Sequence, residues 1–461
     1  MVCLMPASSI VNTIAIAAWA RSPVAPVDGA LRSLQSHELA TPVLHSLLQQ
    51  AQLPALAVDA VVLGNALGAG GNPARMLALA AGLPQRCAAH TVDTQCCSGL
   101  DAVALAVGLI QSGQAEVVIA GGAEAWSRAP IRQTRPLDAS QAPQTYERPA
   151  FAPDPAQDPD LLQAAADYAL AQGWDRATQE AYAKVSHDKA LQYQQKLLHQ
   201  HQLQHSQESL DTGDAFEEIT PVAGLAHDSY PRLLRTERMA RMPVVAAASV
   251  PTINAATNTT ANTSTSAADI ARHALSAPTI SAKADGAALL LLVSTAACQR
   301  LGLKPRARWV SSASIGDTPQ MPLTAAALAA QLALQRGGNR RQNDASLSQT
   351  DTTQSTITPP LTASQLAAIE LHDAFAVQGL AFCQSLGLAP EAINRGGGGL
   401  ARGHPIGASG AIALVRVLTE LEQMQRTSTA TPSASSTPLL GLAAIAGAGG
   451  IGAACLVQCP A

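Results

Sequence analysis

The feature that most restricts what this chain can fold into is a local pattern that occurs twice. Cys96-Cys97-Ser98-Gly99-Leu100-Asp101-Ala102 opens a helical stretch that leads to an apolar strand ending in Ala120-Gly121-Gly122. Gly407-Ala408-Ser409-Gly410-Ala411-Ile412-Ala413 opens another, leading to a strand that ends near Ala448-Gly449-Gly450. Each copy reads as a Ser-Gly turn, a helix, a strand and a glycine turn. Chance is the competing reading in a chain rich in Ala and Gly. The order of elements matches as well as the letters, so a duplicated architecture is expected. Around the copies, β-branched runs (residues 14–18 and 58–63) alternate with helical stretches (37–52 and 72–81). That alternation predicts an α/β fold with buried parallel or mixed sheets.

Between the copies the character changes. Residues 124–241 carry most of the Trp and Tyr, many Gln and His, and an amphipathic helix over 176–195, so this part reads as an inserted lobe. The expected organisation is an N-terminal half over 1–122, the lobe over 123–277, a return strand in 278–300 that completes the first half, and a C-terminal half over 301–461. Each half is expected to hold a five-stranded mixed sheet with helices on both faces. Residues 250–276, 337–360 and 425–438 are rich in Thr, Asn, Gln and Ser and read as solvated loops.

The bulk numbers exclude several classes. Hydrophobic residues make up 47% of the chain and charged residues 13%, which is a globular balance. At a net charge of −4, with no basic block, neither nucleic acid nor a membrane surface is an expected partner. No apolar run reaches the roughly 18 residues a membrane span needs. The apolar start lacks a basic region, the chain ends Gln458-Cys459-Pro460-Ala461, and eight scattered cysteines do not form a disulfide framework. A reducing, cytoplasmic setting is the expectation. No metal site is expected.

Three segments carry chemistry. Cys96 follows a strand-like run at 88–92 and opens a helix, where unpaired N–H groups and the positive dipole end should lower its pKa. A thiolate attacks thioesters, and exchange of one thiol for another is nearly isoenergetic. The plainer alternative is a buried, inert Cys. In Gly403-His404-Pro405-Ile406-Gly407-Ala408-Ser409-Gly410, flanking glycines let backbone approach a ligand. His404 there could activate a thiol or donate to an oxyanion. In Ile369-Glu370-Leu371-His372-Asp373-Ala374-Phe375 an apolar strand runs into polar residues, the place where α/β sheets bind ligands. Asp373 could equally be a plain N-cap for the next helix.

Taken together these segments resemble the thiolase family, and the resemblance covers most of the chain. Arg21-Ser22-Pro23 resembles the family's early Arg-Thr-Pro. Asp93-Thr94-Gln95-Cys96-Cys97-Ser98-Gly99 resembles its nucleophile motif. Ala120-Gly121-Gly122-Ala123-Glu124-Ala125-Trp126-Ser127 resembles the segment that enters the inserted lobe. Ala284-Asp285-Gly286-Ala287-Ala288 resembles the turn after it, and Gly403–Gly410 the histidine motif. The resemblance implies the duplicated, layered αβαβα thiolase fold with a loop lobe. It implies an acyl-carrying nucleophile at Cys96, activated by His404, and an oxyanion hole from the backbone N–H groups of Cys96 and Ala448. It also implies acyl-CoA thioesters and coenzyme A as substrates and products, no tightly bound cofactor, a lobe that holds coenzyme A, and a homodimer or homotetramer.

The departures from the family pattern matter as much. Thiolases usually have Asn-Glu-Ala-Phe where this chain has His372-Asp373-Ala374-Phe375. A branch resembling the sterol-carrier-linked thiolases has His-Asp-Cys-Phe. The family's late Cys-x-Gly-Gly-Gly-x-Gly appears as Ala446-Gly447-Ala448-Gly449-Gly450-Ile451-Gly452, so its acid/base Cys is replaced by Ala446. Cys97 is a poor substitute, since adjacent helix residues point about 100° apart. Thr279-Ile280-Ser281-Ala282-Lys283 and Leu161-Leu162-Gln163-Ala164-Ala165-Ala166 also depart, which puts the coenzyme A contacts and the acyl pocket in doubt. Three readings follow. One is Claisen condensation or thiolysis with His372, or a bound water, in place of the missing Cys. A second is acyl exchange or hydrolysis with impaired carbon–carbon chemistry. The third is a non-catalytic scaffold that binds coenzyme A.

Overall fold

The computed structural model describes residues 14–206, 218–249, 266–348, 361–429 and 438–459. Its main strands are β1 (Ala15–Arg21), β2 (Ala60–Gly64), β3 (Ala88–Val92), β4 (Val117–Ala125), β5 (Ala284–Val293), β6 (Ala307–Gly316), β7 (Ala368–His372), β8 (Leu439–Gly447) and β9 (Ile451–Cys459). The longer helices are α1 (Ser36–Gln50), α2 (Pro73–Ala80), α3 (Ser98–Gln111), α4 (Leu161–Gln172), α5 (Arg176–Ser206), α6 (Ala325–Ser348), α7 (Ala376–Leu386) and α8 (Ser409–Thr429).

The strands form one mixed sheet in the order β7-β8-β9-β6-β1-β5-β4-β2-β3, with the short strand Ala25–Pro26 beside β5. Outward from the β1–β6 seam, the two sides follow the same plan. β1-β5-β4-β2 on one side matches β6-β9-β8-β7 on the other. The inner strands β2 and β4 run parallel, as do β7 and β8, while β5 and β9 run against their neighbours. The seam itself is short, pairing only Ala15 with Arg308 and Ile16 with Ala307.

One expectation fails in detail. The C-terminal side has four strands among the described residues, not five. The place matching β3 is taken by Asn394, whose N–H donates to Ile369 O at 2.9 Å and whose side-chain oxygen accepts from Leu371 N at 2.8 Å. Asn394 is left-handed (φ 52°) and glycines follow it, so the ladder cannot continue. Its amide oxygen supplies the acceptor that a strand backbone would have offered.

Helices α3 and α8 pack against each other inside the molecule, with Leu100, Val103, Ala411, Leu414 and Leu418 in one buried cluster. Their first turns touch through glycines. A Cβ on Gly99 would lie 2.9 Å from Ala411 N, and one on Gly410 would lie 2.9 Å from the Leu100 side chain. Helices α1 and α2 cover the outer face of the N-terminal side, and α6 and α7 that of the C-terminal side. Helix–sheet–helix layering of this kind buries both faces of the strands, which explains their almost uninterrupted apolar runs.

Two of the stretches read as loops continue helices instead. Residues 337–348 extend α6, and 425–429 extend α8. A helix anchored by buried alanines, such as Ala326, Ala329, Ala330 and Ala333 of α6, propagates into a polar tail at little cost per residue. Of the third stretch, 266–276 contains the helix Ala267–Arg272 and the strand Leu275–Ser276. Residues 250–265, 349–360 and 430–437 lie outside the described residues.

The segment between β4 and β5 carries the hairpin Arg132–Thr134/Gln144–Tyr146, α4 and α5. It is tied down by buried charge. Glu218 accepts from Arg21 at 2.9 Å and from Arg416 at 2.6 Å, while Asp228 accepts from Arg21 at 2.7 Å. With two guanidinium groups beside it, the Glu218 carboxyl is held down at about 2 despite full burial. No described helix is long and apolar enough to cross a membrane.

Candidate active site

The turn after β3 is built to expose one sulfur. Gln95 is left-handed (φ 53°), a conformation that costs a non-glycine residue about 1 kcal/mol and marks functional turns. The turn is knitted by Ser98, whose hydroxyl donates to Gln95 O at 2.6 Å and accepts from Thr94 N at 2.9 Å. The next two side chains then diverge. Cys97 is fully buried, 3.8 Å from Ile445 O, whereas Cys96 is only part-buried. Cys97 thus has no role at the surface of the site, as the adjacent-residue argument anticipates.

His404 comes from the other side of the molecule, on the loop between the short helix Gly399–Arg402 and α8. Gly403 before it has φ 103°, where only glycine is comfortable, and a Cβ there would lie 2.9 Å from the Ala284 side chain. His404 Nε2 lies 3.2 Å from Cys96 Sγ, and its Nδ1 lies 2.7 Å from Ser409 Oγ. The Ser409 hydroxyl spends its single proton on Pro405 O at 3.0 Å. It therefore accepts from Nδ1–H, which leaves Nε2 unprotonated and able to take the thiol proton.

The protonation states correct one expectation. Cys96 was expected to be a depressed thiol, but burial pushes it up to about 11. The backbone N–H groups of Ala448 and of Cys96 itself donate toward the sulfur and pull the value down, though by less than burial raises it. Burial also lowers His404 to about 4. The resting pair is neutral thiol and neutral imidazole, so proton transfer must accompany attack. The Ala448 N–H belongs to the turn between β8 and β9, where Gly449 (φ 80°) and Gly450 (φ 76°) make the reversal. It points at the same sulfur as the helix terminus does.

His372 ends β7, and its ring stacks on that of His404 at 4.3 Å and 30°. A Cβ on Gly399 would sit 2.6 Å from its ring, so that position must be glycine. His372 Nε2 is buried without a partner, and burial followed by the neighbouring His404 holds the ring well below its ordinary pKa. A neutral imidazole with a free nitrogen is thus presented beside the Cys96–His404 pair. Asp373 is not the N-cap it could have been. Helix α7 is preceded by Phe375, and the Asp373 carboxylate accepts from Tyr182 Oη at 3.0 Å and Leu400 N at 3.2 Å. Ala446 is buried at the end of β8 opposite Gly452, and Ala374 is part-buried among Phe375, Leu161 and Leu162. Cys455 and Cys459 lie along β9, both buried. Among the described residues no group of His, Cys, Asp and Glu could hold a metal ion.

Glu124 was visible in the sequence only as part of a motif. It is 1% exposed on β4. Its carboxylate accepts from Asn65 Nδ2 at 2.9 Å, Ala66 N at 2.9 Å, Leu67 N at 3.3 Å and Gly407 N at 3.0 Å. A charge inside an otherwise apolar strand was the available signal. Ser409 was missed in the same way, five residues after His404 within the glycine loop.

Comparisons with known proteins identify the family and the fold. The family model for the thiolase N-terminal domain matches residues 14–208, and that for the thiolase C-terminal domain matches 352–459. A Bacillus subtilis (strain 168) protein named "Putative acetyl-CoA C-acetyltransferase YhfS" is 32% identical over 431 residues, covering 94% of this chain and 95% of that one. The crystal structure of a Bacillus anthracis acetyl-CoA acetyltransferase is 26% identical with a TM-score of 0.72, over 97% of this chain and 99% of the other. The Ascaris suum Acat5 thiolase in complex with coenzyme A is 25% identical with a TM-score of 0.75, over 97% of this chain and 100% of that one.

Proposed function

This chain belongs to the thiolase family, and from that premise we propose that it is an acyltransferase that carries an acyl group on Cys96 and exchanges it with coenzyme A. The observation that supports this most is the 3.2 Å contact between His404 Nε2 and Cys96 Sγ, with the Ala448 N–H aimed at the same sulfur. In the acylation step His404 Nε2 takes the thiol proton as the sulfur attacks the thioester carbonyl. The N–H groups of Cys96 and Ala448 then hold the oxyanion. The carbon–sulfur bond to coenzyme A breaks, and the departing thiolate recovers the proton from His404. The lobe over 123–277 would hold coenzyme A as a passing substrate, and halves over 1–122 and 301–461 would supply the two catalytic loops, with 278–300 returning to the first.

Carbon–carbon chemistry needs one further group, to move a proton at the α-carbon of the second thioester. Ala446 and Ala374 cannot do this. His372 is the group we assign to it, on the strength of its unpartnered Nε2 and its stacking on His404. Acyl exchange with weak condensation or thiolysis is the second reading, and the alanine at 446 favours it. We also propose a homo-oligomer, since β3 ends the sheet with one edge open to a second copy.

The test is intact-mass measurement after incubation with acetyl-CoA. The expected result is a single acetyl addition that Cys96→Ala removes. Binding of coenzyme A with no mass addition would replace this reading with the scaffold one.

A further inference from the structure

We propose that Glu124 is the positioning residue that sets the distance between the two catalytic side chains, acting through the loops that carry them. Four N–H donors converge on its carboxylate from two sources. Three come from residues 65–67 after β2, and the fourth is Gly407 N in the short turn just before α8. Gly407 is three residues past His404. The loop after β2 lies directly against the cysteine turn, because Asn65 N donates to Val92 O at 3.0 Å. A Cβ on Gly64 would lie 2.5 Å from Ser98 C and 2.7 Å from Gly407 O. The carboxylate therefore fastens the histidine loop to the ground on which the cysteine turn rests.

Among the described residues no cation forms an ion pair with this buried charge. The ionisable groups that interact with it are Asp93 and Cys96 on the cysteine turn, and the elements packed around it also carry Asp101 on α3, His404 on its own loop, Asp285 on β5 and Lys283 just before β5. The Arg132 guanidinium donates to Ala66 O at 3.3 Å, on the same loop as two of the N–H donors. A lone carboxylate kept in place by four N–H groups is costly to bury and is retained for what it holds. Burial pushes its pKa up to about 7, against the pull of those donors. A proton added there would turn one oxygen from acceptor to donor, opposite N–H groups that also donate. The Gly407 contact would loosen, and His404 with it.

The sign follows. Acylation should rise with pH through about 7 as Glu124 ionises. Cys96 (about 11) and His404 (about 4) lie too far from neutrality to give that step. The measurement is the single-turnover rate of Cys96 acylation by acetyl-CoA, followed by rapid quench and intact mass from about pH 5.5 to about pH 8.5, a window that spans about 1.5 units either side of the step. Wild type should show the step. Glu124→Gln should be flat and slower by about 10- to 100-fold, with half-saturation by acetyl-CoA unchanged within about twofold. Glu124→Asp, which keeps the charge, should restore a step. A wild-type profile with no step near neutrality, or a step that persists in Glu124→Gln, overturns the inference. Should Glu124→Gln not fold, wild type and Glu124→Asp still decide. The inference rests on Cys96 being the acylated nucleophile. Absence of any acetyl addition sinks that reading, whereas acylation without the step sinks only the role of Glu124.

Discussion

The two sides of the molecule bring unequal equipment to one site. The N-terminal side contributes a sulfur in a strained, tightly knitted turn, and the C-terminal loop answers it with an imidazole whose tautomer is fixed by Ser409. His404 Nε2 and the Ala448 N–H both reach the Cys96 sulfur, the set that the proposed acyl loading uses. Past the end of β7 and near the end of β8, where the proposed carbon–carbon step would call for a second proton carrier, two methyl groups stand instead, Ala374 and Ala446. The difference separates two reactions that usually travel together. Loading needs a nucleophile and one base, while making or breaking a carbon–carbon bond needs a base aimed at a different atom.

Restoring the absent thiol should break the asymmetry most. Ala446→Cys is expected to raise acetoacetyl-CoA thiolysis by about 10²- to 10⁴-fold, the usual worth of a positioned acid/base group, and to leave isotope exchange of labelled coenzyme A nearly unchanged. Equal gains in both rates would mean that Ala446 limits loading, against the division drawn here. Removing His372 should sharpen the contrast. His372→Ala is expected to cost the residual thiolysis about 10²-fold while exchange falls by much less. Thiolysis that survives untouched would point to a different base, such as a bound water. The smallest effect concerns the thiols themselves. Cys96 alone among the seven described cysteines is part-exposed while the other six are buried, so iodoacetamide should label it about tenfold faster than Cys87 or Cys298. Because its pKa is raised, labelling should be slow at neutrality and climb with pH toward about 11. Peptide mapping after timed labelling reads both, and faster modification of Cys87 would remove the distinction.

Much of this was legible in the letters. The Ser-Gly turns gave both helix starts at the site, and the glycines around His404 announced a loop that other backbone must approach. Properties that depend on distant partners were hidden. The role proposed for Glu124 rests on bonds to residues 59 and 283 positions away. The direction of the Cys96 shift was misjudged because a helix terminus is visible in sequence and burial of the sulfur is not. The missing fifth strand hinged on a single left-handed Asn394, whose side chain imitates a strand backbone. The polar tails of α6 and α8 looked like loops because their composition hides the buried helix that feeds them.

The narrow seam between β1 and β6 has a consequence for how the enzyme comes into being. Cys96 and His404 are 308 residues apart in the chain, and neither side contains a functional pair by itself. Contacts of such long range form late, since the intervening chain must first be organised. On refolding, helix content and burial of the aliphatic clusters should recover before thiol reactivity does. Catalytic competence would then appear as a separate slow phase, set by the docking of α3 against α8.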